Sequence, residues 1–216
     1  ELLKETENTV LYPAMKALSQ DLFLSAKAKL ASATSDADRQ TWTKVRNYLA
    51  IPHAILATAA EPLTSEDYFG PNGSILDPDQ VQPSWKTQDE KVDTFETASA
   101  FIKNLGLDAD SQEEVLADLK YIYDADNKHI PNIFAAEYAA YADQEKVTFQ
   151  VDFSQFTPRS TYTSSSLRRQ YFRGMSWYIH TAFFLKSEKL TDYAFALSSL
   201  LAESQTHSQQ YKKLES

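Results

Sequence analysis

The residues best suited to chemistry are the arginines. Four of the six, Arg159, Arg168, Arg169 and Arg173, fall within fifteen consecutive positions, and the planar guanidinium fork grips a carboxylate or phosphate through two parallel hydrogen bonds. His180 follows Arg173 by seven residues and Trp177 by three, which at 3.6 residues per turn puts all three toward one side of a helix. Arg159, Tyr162, Arg169, Arg173, Trp177 and His180 therefore make a candidate binding set for an anionic or carbohydrate ligand. The same residue types also serve architecture, because arginines lock folds by pairing with acids and aromatics at helical spacing are ordinary core. Both readings stay open at the level of sequence.

No catalytic machinery is legible beside them. A nucleophile needs a base within reach, and the histidines are His53, His129, His180 and His207, none of them in an H-E-x-x-H setting. No G-x-S-x-G or Gly-rich phosphate loop is present either. Four glycines are too few for a phosphate cradle, and the absence of cysteine excludes disulfides, Cys-ligated zinc, iron–sulfur clusters and thiol nucleophiles. Asp77 with Asp79, Asp108 with Asp110, and Asp124 with Asp126 and Asn127 resemble fragments of calcium loops. They lack the twelve-residue spacing with its terminal Glu, and Asp and Asn at helix ends are ordinary capping residues. No catalytic residue, metal ligand or cofactor is assigned.

The element that must position the arginines is a helix over 166–186. Ser164, Ser165 and Ser166 offer side-chain oxygens to a first turn. Leu167, Tyr171, Met175, Tyr178 and Ala182 then recur at helical spacing, flanked by Phe172, Ile179 and Phe183. A face this broad places the helix at the centre of a core. Gly174 in its middle costs roughly 1 kcal/mol against Ala, which a close approach by another helix would offset. Arg168 and Arg169 sit at the positive end of the helix dipole, so something negative must face them. Residues 1–150 hold 13 Lys/Arg against 25 Asp/Glu (net −12), and residues 151–216 hold 8 against 5 (net +3). We therefore expect at least two of Arg159, Arg168, Arg169 and Arg173 to pair with carboxylates from 1–150.

The remaining elements are helices too. Pro13 suits a first helical turn, followed by Met15, Leu18, Leu22 and Ala26 to an end near Ala33. Ser35 or Asp36 caps a second helix bearing Trp42, Val45, Tyr48, Leu49 and Ile55, kinked at Pro52, with His53 as a packing residue. Pro62, Pro71, Pro78 and Pro83 with Gly70 and Gly73 make 61–85 a long irregular loop. Thr87 or Asp89 starts a helix ending at Gly106, and Ser111 with Glu114 has the spacing of a capping box for the next. Asn132 caps a helix after the break at Pro131, 147–152 alternates as a short strand without an evident partner, and Thr191 caps the last helix. The fold class is all-α: an irregular bundle of about seven helices with a Pro-rich loop, in one domain over 1–216. The acidic balance of −9 argues against a nucleic-acid partner, and no apolar run is long enough for a transmembrane helix. The first residues lack the order of a signal peptide, and a start on Glu1 is expected of a processed or excised piece.

Asp152, Ser154-Gln155-Phe156, Thr157-Pro158-Arg159, Tyr162-Thr163, Leu167, Tyr171-Phe172-Arg173, Met175 and Trp177-Tyr178 together resemble the bacterial and archaeal family designated domain of unknown function 3160. Its members typically read D-[YF]-S-Q-F-x-P-R-G-H-Y-T and then L-x-x-Y-F-[RK]-A-M-M-W. This chain departs from that pattern at Ser160 and Thr161, which replace Gly-His, at Gly174, which replaces Ala, and at Ser176, which replaces Met. The missing His weakens the transfer of any metal or acid–base role to position 161. The resemblance implies that the chain is the N-terminal part of a longer, extracytoplasmic protein, secreted or on the cell surface. Two function classes follow. One is a structural region, or one that binds a ligand or another protein domain; the other is an enzyme fragment acting on an anionic or carbohydrate substrate through an Arg-lined pocket.

Overall fold

The computed structural model describes residues 6–59, 93–146 and 149–203, so the expected 61–85 loop and a helix start at Thr87 or Asp89 lie outside the described residues. Seven α-helices among the described residues give the all-α fold. Helix α1 (Tyr12–Ser32) continues without a break from a π-helical stretch (Glu7–Leu11), so Pro13, expected to open the helix, lies inside helical backbone already formed from Glu7. Helix α2 (Asp36–Ala57) starts at Ser35, whose hydroxyl accepts the Asp38 N–H at 3.0 Å. Thr94 caps α3 (Phe95–Lys103), and the chain then turns through Gly106 at φ 72°.

Four further starts differ from the sequence reading, the first being that of α3, which opens after the extended Thr94 rather than running through it from Thr87 or Asp89. Helix α4 (Ala109–Asp124) begins one turn before the expected Ser111–Glu114 box, because the Asp108 carboxylate takes the Ser111 N–H at 2.9 Å. Asn132 opens a 3-10 turn (Asn132–Phe134) that leads into α5 (Ala135–Glu145). Helix α7 (Glu188–Glu203) is held at its start by Ser187, whose hydroxyl accepts the Leu190 N–H and whose carbonyl accepts that of Thr191.

The centre of the fold is α2, not the helix that bears the arginines. Every residue from Val45 to Leu56 is buried, and α2 packs against α1, α3, α4, α7 and the arginine helix α6 (Ser166–His180). A helix apolar on all sides belongs inside, and the run Tyr48-Leu-Ala-Ile-Pro-His-Ala-Ile-Leu56 is nearly that. Helix α6 covers one flank of α2, capped by Ser165 on the Arg168 N–H. Its Gly174 permits the expected close approach: a Cβ there would sit 3.1 Å from Leu56 Cγ of α2.

Helix α6 stops at His180 rather than Lys186. Downstream, Phe183 and Phe184 are drawn into an aromatic cluster with Tyr48, Phe134, Tyr138 and Tyr141. The Tyr138 hydroxyl caps the Ala182 carbonyl at 2.7 Å. Tertiary packing here overrides helical periodicity. The short strand Val151–Asp152 also has a partner, Lys128–His129, antiparallel with Lys128 opposite Asp152 and His129 opposite Val151.

Candidate functional site

The arginines of α6 face Asp93, the residue before the Thr94 cap of α3. Arg169 grips Asp93 with two nitrogens, Nε on Oδ2 and Nη2 on Oδ1 at 3.2 Å, and Arg173 adds Nη1 on Oδ2 at 3.4 Å. Asp93 is 9 % exposed and Arg173 13 %. The pairing expected of at least two of the four arginines with the acidic first 150 residues is present for Arg169 and Arg173. The spacing of four on α6 makes it possible, since residues 169 and 173 lie one above the other on the same face.

Behind this clamp runs a buried polar chain. The Arg173 guanidinium lies 4.6 Å from the centre of the Tyr123 ring and donates to Gln170 Oε1 at 3.1 Å. The Gln170 amide reaches the Tyr123 hydroxyl at 2.8 Å and Thr58 Oγ1 at 3.3 Å. Gln170 is fully buried. Burial pushes the Tyr123 hydroxyl up to about 12, so it stays protonated and in the network. The Arg173 Nε is buried without a hydrogen-bond partner among the described residues. Ends of α2, α4 and α6 and the entry to α3 are thereby tied at one point.

The other candidates sit elsewhere. Arg159 is exposed, donates to the Ser154 carbonyl at 3.3 Å, and makes no ion pair among the described residues. His180 is half-buried at the far end of α6, its ring 5.8 Å from Phe156; burial lowers its pKa, and Asp152 acts the other way. Tyr162 donates to Glu7 Oε1 at 2.7 Å, and burial together with that bond pushes its hydroxyl up to about 12. Trp177 is fully buried, with its indole N–H on the Tyr48 carbonyl at 3.0 Å. Arg169 and His180 are eleven residues apart, roughly 16 Å along a helix at 1.5 Å per residue. One small ligand does not reach both.

Two features escaped sequence reasoning. Arg46 of α2 is 6 % exposed and contacts Asp108 at 3.0 Å and Ser111 at 2.8 Å of α4, while Lys44 pairs with Glu114 at 2.9 Å. The signal was available in Lys44, Arg46 and Asn47 bordering an apolar run. The second is Glu137 of α5, 7 % exposed, in the wall of a cavity of about 320 Å³ beside the start of α7. Nothing in the spacing of the sequence marks it. A separate apolar cavity of about 330 Å³ lies between α1, α6 and α7, lined by Met15, Leu18, Tyr171, Met175, Tyr178 and Leu197.

Among the described residues no group of three or more His, Asp or Glu side chains is placed to hold a metal ion, and no helix is long and apolar enough to cross a membrane. The fold is all-α, and Arg169 and Arg173 of α6 meet at Asp93. The chain belongs to the family described as protein of unknown function (DUF3160), which it matches over residues 1–216. No curated protein and no solved structure matches it significantly.

Proposed function

We propose that this chain is a non-catalytic helical region, structural or ligand- or partner-binding, of a secreted or surface-exposed bacterial protein. The observation that carries the reading is the convergence of Arg169 and Arg173 on Asp93. Two guanidiniums that share one nearly buried carboxylate, with Tyr123 and Gln170 behind them, hold helices together and are not poised for an incoming anion. The binding part of the reading rests on the two cavities, each of a size that takes a small molecule. Export is supported by the resemblance to a family whose members often carry a secretion signal, and fractionation of cells making the full-length protein tests it.

The enzyme-fragment reading keeps one supporting observation, the unpartnered Nε of Arg173, which an anionic substrate would satisfy. Thermal unfolding of Arg169→Ala and Arg173→Ala separates the two. A framework clamp predicts that each variant melts several degrees lower, at about 2–4 °C per kcal/mol for a chain of this size. Unchanged melting in both variants, together with lost binding of an acidic saccharide, would move the substrate pocket into first place.

A further inference from the structure

Three helices wall the cavity of about 330 Å³ between α1, α6 and α7, and none of the side chains that line it is charged. Only two of them, Tyr171 and Tyr178, carry an oxygen or nitrogen, and Tyr178 commits its hydroxyl to Ser19 of α1 at 2.9 Å. A water held in a cavity needs two to four polar partners, which these side chains do not supply. Water there is poorly bonded, and an apolar group displaces it at a gain. The chain's two methionines, Met15 and Met175, both stand on this wall, on different helices. Methionine is unbranched and polarizable, adapts its shape to what it meets, and favours contact between its sulfur and an aromatic ring. Tyr171 and Tyr178 lie four residues before and three after Met175, on the same face of α6, so rings and sulfurs share one lining. Ile179, in the last turn of α6, lines the same cavity yet is 63 % exposed. A guest that covers it removes apolar surface from water.

We propose that this cavity binds an uncharged aromatic molecule of about two fused rings. A cavity of about 150 Å³ holds a single benzene ring, and this one has about 330 Å³. Its charge complement is a neutral guest: an anion would meet a wall without a cation, in a chain of net charge −9, and burying a carboxylate without a donor is costly. A second copy of the chain would need a patch of about 800 Å² on each partner, whereas this cavity admits one or two side chains. The proposal rests on the binding reading above and names its ligand class. It uses none of the clamp residues, so its failure leaves the melting test of the arginines standing.

The test is calorimetric titration of the 216-residue chain at neutral pH with 2-naphthol, which is uncharged, and with 2-naphthoate, an anion of nearly the same shape. The expected result is saturable one-to-one binding of 2-naphthol at about 100 µM or tighter, with 2-naphthoate weaker by about tenfold or more. Leu197→Trp fills the cavity and abolishes binding. Ile179→Ser, at an exposed position where folding is not at stake, weakens it severalfold and decides the matter if Leu197→Trp does not fold. No saturation up to about 1 mM, equal binding of 2-naphthoate, or binding that both variants leave unchanged overturns the proposal. Decanoate that binds in place of 2-naphthol overturns it while leaving the binding reading in place, and so does a dimer that Ile179→Ser dissociates.

Discussion

The indole N–H of Trp177 donates to the carbonyl of Tyr48 at 3.0 Å, the carbonyl that Pro52 leaves without its helical partner. In an α-helix the oxygen of residue 48 takes the N–H of residue 52, and proline has none to give. This carbonyl lies in the most buried stretch of the chain, out of reach of water. Trp177→Phe should therefore destabilise by about 2–4 kcal/mol, from lost ring volume and a stranded acceptor. Pro52→Ala restores an N–H at position 52, and in that background the cost of Trp177→Phe should fall by about 1 kcal/mol. Denaturant melts of the four proteins measure the coupling, and strict additivity would show that the bond carries no stability.

The same pair shows what the sequence discloses and what it hides. Pro52 is legible as a disturbance in α2, and Trp177 as an aromatic on α6, but their meeting depends on how the two helices pack. Helix content, the Ser35 cap and the turn at Gly106 were legible because they rest on neighbours within four residues, whereas the expected start at Pro13 was not borne out, since helical backbone already runs from Glu7. The start of α4 was displaced by one turn because Asp108 and Ser111 are both good caps, and only one of them stands before the first helical turn. Of the candidate site, the pairing of at least two of Arg159, Arg168, Arg169 and Arg173 with the acidic first 150 residues followed from charge balance, but not which of them would pair. The identity of Asp93, seventy-six residues upstream of Arg169, did not. Glu137 left no trace in the sequence because its burial is imposed by α7 through Tyr193.

Asp93 is the hub of the clamp, and removing it takes a carboxylate from two guanidiniums at once, where removing either arginine leaves one pair intact. Asp93→Ala should cost about 3–5 kcal/mol, the scale of breaking a buried pair, and each arginine variant about 1–3 kcal/mol. Once Asp93 is gone, removing Arg173 should cost less than it does in the parent. Chemical denaturation of the single and double variants checks the order; an Asp93→Ala variant as stable as the parent would rule out the clamp as a source of stability.

Ser160 stands at φ 52°, the left-handed region that strains any residue with a Cβ by roughly 1–2 kcal/mol. It is also where the resembling family usually has Gly, so the backbone geometry supplies a physical reason for that preference. Ser160→Gly relieves the strain and gives back part of the gain as added freedom in the unfolded chain. The net expectation is a stabilisation of up to about 1 kcal/mol, read as a rise of a few degrees in Tm. A lower Tm would mean that the Ser160 side chain contributes more than its strain removes.

Two buried groups give the stability opposite slopes in the same acidic window. Asp118 is fully buried, and burial raises it to about 6 against the pull of the Asn132 and Ile133 N–H groups, with Glu114 adding to the rise. The folded state thus holds this proton more tightly than the unfolded state, so its contribution is present below the ordinary carboxylate value and is lost as pH rises through about 6. His53, stacked against Phe23 and edge-on to Phe101, is lowered to about 4 by burial and by nearby Lys16. It contributes stability above its ordinary value of 6.5 that is lost as pH falls through about 4. Each shift of two units or more is worth about 3 kcal/mol, so between pH 6 and 4 the two slopes offset each other in the parent chain. Asp118→Asn should leave the histidine slope alone, and that variant should lose stability steadily as pH falls across the window. His53→Gln should do the reverse and gain relative stability on acidification. Urea titrations of the three proteins at half-unit steps from pH 7 to 4 read both slopes directly, and parallel pH profiles for the two variants would show that these buried groups titrate alike in the folded and unfolded chains.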